Sequence, residues 1–235
     1  MEPPLPMGRS YQIRLSSQDS RLKRSPFRGA LNSQLSTLTK LSTTYFGPVQ
    51  WYQKLYRSDR VWIEACETFQ KQTYRNRCII ATTNGPQTLS VPIEHAAANQ
   101  PISTIRISNH GKWRTEHWNA LQSAYGESPF FDYYADDLRP FFHDHWDTLF
   151  QFNLDIIQKM CELLDIHPHI QLTTPYQAHA AIDLRDAIRP KNPLPDADFK
   201  PLPYYQVYQQ KHGFLPNLSI LDLLFNMGNE SIFYL

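Results

Sequence analysis

The sequence predicts an α/β fold: a mixed sheet that starts with a βαβ unit, followed by a mainly helical middle and a C-terminal helix. Two observations predict it. A β-rich run, a helix-spaced run and a second β-rich run follow one another between Leu38 and Phe69, a span that suits a parallel pair with a helical crossover. Further on, Trp146, Leu149, Phe150, Ile156, Ile157, Met160, Leu163 and Leu164 recur at three- and four-residue steps, the signature of a helix with one buried stripe.

Taken in order, Leu38 to Phe46 is apolar and β-branched, and Gly47-Pro48 breaks it, which reads as strand then turn. Val49 to Arg57 carries Val49, Tyr52, Leu55 and Tyr56 at helical spacing, with Pro48 suited to the first turn. Arg60 to Phe69 alternates as a second strand, with Val61, Ile63 and Ala65 on one side. Tyr74 to Ala81 and Thr88 to Ile93 flank Asn84-Gly85 and read as a hairpin. Ser103 to Ser108 alternates as a further strand. Helices are expected over Trp113–Tyr125, Phe131–Phe142 and His143–Ile166, the last with Asp144 as cap. His169 to Thr173 is a further strand candidate. Five prolines between residues 186 and 203 mark a long loop, and Leu218–Asn226 is an apolar helix ended by Gly228.

The domain reading is one domain over residues 38–235 behind a flexible basic extension over residues 1–37. That extension holds Arg9, Arg14, Arg21, Lys23, Arg24 and Arg28 against Glu2 and Asp19, with few periodic apolar residues. Its charges are too sparse for a nucleic-acid arm, and a net charge of +1 over 235 residues gives no general field for nucleic acid or membranes. No apolar run reaches the ~20 residues of a membrane span, and no apolar signal-like stretch opens the chain. The three cysteines, Cys66, Cys78 and Cys161, lack metal-ligand spacing and fit reduced thiols. A cytoplasmic location follows as the expectation.

The most conspicuous polar cluster is Tyr74-Arg75-Asn76-Arg77. On a strand, Arg75 and Arg77 would share a face roughly 7 Å apart, a spacing from which two guanidiniums can clasp a phosphate or carboxylate. Lys71 lies just upstream and would add charge. The alternative is a solvated face with ion pairs to Glu64 or Glu67. His117 borders the apolar face of its helix, where an imidazole can act as a general base or simply pack with one satisfied hydrogen bond. Trp118 and Tyr125 lie on an adjoining stripe. His143 and His145, and His167 and His169, lack further ligands at a recognisable spacing, so no metal site is predicted. GxGxxG, GxxxxGK[ST] and GxSxG are absent, and no cofactor is predicted.

The stretch LSTTYFGPVQWYQKLYRSDRVWIEACETFQKQTYRNRCII, then TLSVPI, KWRTEHWNALQSAYGESPFFDYY and the C-terminal GFLPNLSILDLLFN together resemble the WbqC-like family, in order and spacing, over residues 38–235. Where broader members carry Gln-Pro-x-Tyr-Leu-Pro-Trp, this chain keeps Tyr45 and Pro48 without the leading Gln-Pro. Asn76-Arg77, His117-Trp118 and Tyr125 match. The resemblance implies a bacterial protein, with work on a sugar, sugar nucleotide or glycan precursor in surface-polysaccharide biosynthesis. Combined with the side-chain chemistry, it leads to an expected transferase. In it Arg75 and Arg77 hold the anionic part of the substrate, with Lys71 and Asn76 as further ligand-binding residues. His117 and Tyr125 are the expected catalytic groups, and Tyr45 and Trp118 line the ligand. The competing expectation is a non-catalytic binding or scaffold protein in envelope assembly.

Overall fold

The computed structural model describes residues 38–173, 180 and 182–235; the expected N-terminal extension lies outside the described residues. β1 (Leu38–Leu41), α1 (Val49–Arg57) and β2 (Arg60–Glu64) form the βαβ unit that the pattern predicts. The two strands are parallel, with Leu38 opposite Arg60 and Leu41 opposite Ile63. α1 packs Val49, Trp51, Tyr52 and Leu55 inward and leaves Tyr56 and Arg57 outside. β5 (Ile170–Thr173) joins the far side of β2, and β6 (Ile182–Asp183) joins the far side of β1, both parallel. The order β5-β2-β1-β6 therefore reverses direction at β1.

β3 (Arg77–Thr82) and β4 (Gly85–Ser90) form an antiparallel hairpin as a separate two-stranded sheet. Thr82 pairs with Gly85 across the turn, and Gly85 takes φ +100, a conformation open to glycine without strain. The helices are α2 (Trp113–Tyr125), α3 (Phe131–Leu138), α4 (Leu149–Leu163), the short α5 (Gln209–His212) and α6 (Ile220–Met227). Gly228 ends α6 at φ +55, as expected. Among the described residues no helix is long and apolar enough to cross a membrane.

Several boundaries differ from the sequence reading, each for a tertiary reason. β1 stops at Leu41 because Ser42–Phe46 leaves the sheet to meet other elements: the Tyr45 amide donates to the Tyr74 carbonyl at 2.9 Å. α4 starts at Leu149 instead of His143. Ile107 N donates to Asp147 O and Leu149 N to Ile105 O, both at 2.9 Å, which holds residues 147–149 extended. Thr148 Oγ1, and not Asp144, caps the helix by accepting from the Gln151 amide. The expected strand over Ser103–Ser108 is a 3₁₀ turn at Ile102–Thr104 followed by single bridges. α3 gives way to a 3₁₀ turn over Arg139–Phe142, where Pro140 removes a donor. The proline-rich loop is fastened to α1, since Asp196 accepts from Lys54 Nζ and Gln50 Nε2 at 2.8 Å each.

Between β1 and α1 the chain turns through Phe46, at φ +42 with its ring fully buried against Phe142. The cost of that left-handed step is offset by a tight seam with the start of α6. Ser219 Oγ donates to Phe46 O at 2.8 Å, Ile220 N to Gly47 O at 2.9 Å, and Val49 N to Leu218 O at 3.0 Å. Gly47 leaves no room for a side chain: a Cβ there would sit 2.5 Å from Thr44 Oγ1. Gly47→Ala is expected to lower unfolding stability by about 1–3 kcal/mol, and Gly47→Ala with Thr44→Ala to recover part of it. Chemical denaturation measures both; equal loss in single and double variants would contradict the crowding.

Candidate functional site

In open parallel sheets the crevice beyond the carboxyl ends of the strands, where the strand order reverses, is the natural ligand position. Here β1, β2 and β6 deliver an unusual density of charge to that edge. Lys40 Nζ bonds Glu64 Oε2 at 2.9 Å with neither side chain exposed. Just past the end of β2, Glu67 accepts from Arg75 Nε and Nη2 at 2.8 Å each. Arg75 Nη2 also stands 3.6 Å from Asp186 Oδ1. Arg185, just past β6, clasps Asp183 through Nε and Nη2 at 2.9 and 2.6 Å and places Nη1 3.8 Å from Glu67 Oε2. Three cations thus interleave with four carboxylates.

Of these groups, Glu67, Arg185 and Asp186 line a cleft of about 370 Å³, together with Cys66, Thr68 and Gln70. Burial pushes the Glu67 carboxyl above its ordinary value, against the hydrogen bonds and charge of Arg75 and the charge of Arg185. At Asp183 burial also works upward, yet the bonds and charge of Arg185, with Lys40, outweigh it and leave the carboxyl low. A buried carboxylate oriented by arginine and facing a polar cleft can accept a proton from a bound hydroxyl. Arg185 can pair with an anionic group, and Thr68 and Gln70 can bond a polyol.

The residues singled out from sequence fall into separate places. Tyr74 and Arg75 lie in the turns before β3, so strand alternation does not place Arg75 on one face with Arg77. Arg75 pairs with Glu67, one of the two partners weighed from sequence, but in the interior and not on a solvated face: it is 2% exposed. Arg77 begins β3 half-buried, Lys71 is exposed on a turn, and Asn76 Nδ2 donates to Val91 O at 3.0 Å.

His117 is buried on α2, with Nδ1 2.8 Å from Tyr45 Oη. Burial pulls the imidazole down to about 4, only partly opposed by the Ser90 backbone. Burial also raises the Tyr45 phenol well above its ordinary value, with Cys78 adding and Arg114 opposing. Both groups are therefore neutral, and the phenol donates to Nδ1. Tyr125 belongs to a different network: its Oη accepts from Ala81 N at 3.1 Å and donates to Asp222 Oδ1 at 2.8 Å. Asp222 Oδ2 accepts from Tyr204 Oη at 2.7 Å and Gln206 Nε2 at 2.9 Å. Trp118 packs on Phe131 and Phe142.

Sequence reasoning missed Arg185 and Asp186, which stand 110 and 111 residues beyond Arg75 and carry no local motif. It named Glu67 only as a surface partner, because it ran the second strand on to Phe69. Ending that strand at Glu64, where the charged and polar residues gather, would have put Cys66 to Gln70 in the crevice.

Against this geometry, the WbqC-like protein family matches residues 43–188 and 196–234. The chain belongs to that family. It is also similar to the uncharacterized protein Rv1507c of Mycobacterium tuberculosis (strain H37Rv), 28% identical over 193 residues that cover 71% of this chain and 83% of the relative. No solved structure matches. The carboxyl-end cleft of this WbqC-like chain, with Glu67, Arg75, Arg185 and Asp186, lies inside the first matched span.

Two outcomes follow for the buried groups. For His117 the folded-state value lies below the unfolded one of about 6.5, so the unfolded chain binds more protons between pH 6.5 and about 4. Stability is fully present above that window and falls as pH drops through it, by on the order of 3 kcal/mol for this group. His117→Gln removes that component, as denaturant titrations at pH 7, 5.5 and 4.5 will read; an unchanged pH profile contradicts the assignment. Tyr125→Phe strips partners from Ala81 N and Asp222 and is expected to cost about 2 kcal/mol. A thermal midpoint equal to that of the parent would refute it.

Proposed function

We propose that this WbqC-like chain is a transferase that binds a sugar, sugar nucleotide or glycan precursor bearing an anionic group in the carboxyl-end cleft. The reading places it in bacterial surface-polysaccharide biosynthesis, in the cytoplasm where activated sugars are available. The observation that carries it is the convergence of Glu67, Arg185 and Asp186 on one cleft at the reversal of the strand order, with Arg75 bonded to Glu67 from the interior. Alternating charges at ion-pair spacing, beside Thr68 and Gln70, complement the hydroxyls and single anionic group of such a ligand.

In this reading Arg185 takes the anionic group, with Lys71 and Arg77 as outlying positive charges. Glu67 takes the proton of the acceptor hydroxyl, and Arg75 is a positioning residue that fixes Glu67's orientation. In this reading His117, Tyr125, Tyr45, Asn76 and Trp118 belong to the packing and hydrogen-bond networks away from the cleft and do not touch the substrate.

A second reading, binding without catalysis in envelope assembly, draws on the bidentate Arg75 bond that already occupies both Glu67 oxygens. The Glu67→Gln variant separates the two: in an enzyme it lowers turnover and leaves ligand affinity within a few-fold, whereas in a binding module only affinity responds.

The direct test is a thermal-shift screen with nucleotide sugars, sugar phosphates and acyl donors, repeated on Arg185→Ala. At least one of these classes is expected to raise the melting point of the parent, and Arg185→Ala to weaken that ligand by about tenfold or more. A flat screen, or a hit indifferent to Arg185→Ala, would sink the proposal.

A further inference from the structure

α2 borders a second cleft, about 300 Å³, which shares no lining residue with the first. Lys112, Arg114 and His143 stand at its rim with the Thr115 hydroxyl, and Trp118 and Phe142 form its floor. Those two rings lie 5.6 Å apart. Gly111, at φ +81, turns the chain into α2 and has open space where a Cβ would stand, so the mouth is unobstructed.

The charge pattern distinguishes this cleft from the first. Lys40, Lys54, Arg75, Arg106, Lys159 and Arg185 each face a carboxylate. Among the described residues no carboxylate stands at ion-pairing distance from Lys112, Arg114 or His143. Arg114 is instead steadied by neutral groups: Nη2 donates to Asn109 Oδ1 at 2.9 Å, and the guanidinium sits 4.5 Å from the Trp113 ring centre. Its Nε is buried without a hydrogen-bond partner. A partly desolvated guanidinium with no counter-charge gains more from an incoming anion than a paired one does. α2 also has no side-chain cap, so its first-turn amides add donors on the same side.

We infer that this cleft is a binding site for a phosphate monoester, with the phosphate among Lys112, Arg114 and Thr115 and the organic part on the Trp118–Phe142 floor. Phosphate matches two positive groups and a hydroxyl, and the apolar floor favours an ester over the free ion. The site is independent of the transferase reading.

Titration calorimetry on the full chain tests it with uridine monophosphate, uridine and inorganic phosphate. The monophosphate is expected to bind at least about tenfold tighter than either of the others, and to weaken as salt rises. Lys112→Gln with Arg114→Gln is expected to weaken it by about tenfold or more while Arg185→Ala leaves it unchanged. Lys112→Glu, at an exposed position that folding does not need, is expected to weaken it as well. Uridine or inorganic phosphate binding as tightly as the monophosphate would overturn the inference. So would Lys112→Glu binding unchanged, or loss in Arg185→Ala, which moves the ligand to the first cleft.

Discussion

The bidentate pair between Glu67 and Arg75 sits where four parts of the molecule meet, and both side chains are almost wholly removed from solvent. An ion pair so placed adds little net stability, because desolvation offsets most of the attraction, but losing either partner strands a charge in the interior. Its effect is to fix geometry. With Arg75 drawn down to the exit of β2, its carbonyl accepts from Asn153 Nδ2 of α4 at 2.7 Å, and the preceding Tyr74 carbonyl accepts from the Tyr45 amide. The hairpin, α4 and the segment after β1 thus take their positions from one short turn. The cleft exists because that turn is held at the edge of the sheet.

The two clefts then use charge in opposite ways. At the carboxyl edge every described cation has a carboxylate neighbour, so a ligand must exchange partners with a preformed network. Beside α2 the cations stand without carboxylates, and selectivity there follows from charge and an apolar floor. Tyr45, Phe46, Phe141, Phe142, Phe152 and Trp146 contact one another ring to ring in one continuous series, which reaches the second cleft at Phe142. The aromatic residues, 13% of the chain, therefore serve chiefly the core.

Much of the fold was legible because its signals are local. Helical spacing located α1, α2 and the body of α4, and the strand–helix–strand pattern located the first parallel pair. What failed was wherever long-range pairing overrides local preference. Residues 103–108 alternate like a strand but find only single bridges, and residues 143–148 carry helical spacing, yet 143–144 turn back on Pro140 and 147–148 are held extended by residues 105–107. β6 has two residues and no pattern of its own. The site divides in the same way. Arg75 stood out by composition, yet its meaning depends on Glu67 across a turn and on Arg185 brought in by β6. His117 was recognisable as a border residue, and only the fold shows Tyr45 sealing its Nδ1.

The central claim is that the carboxyl-end cleft is where this chain meets its substrate. Hydrogen exchange of the full chain, with and without the ligand that stabilises it most, tests that claim most directly. Peptides covering residues 65–75 and 183–187 are expected to gain protection while the hairpin tip at 83–84 stays unchanged. Protection confined to other segments, with 65–75 and 183–187 unaltered, would contradict it.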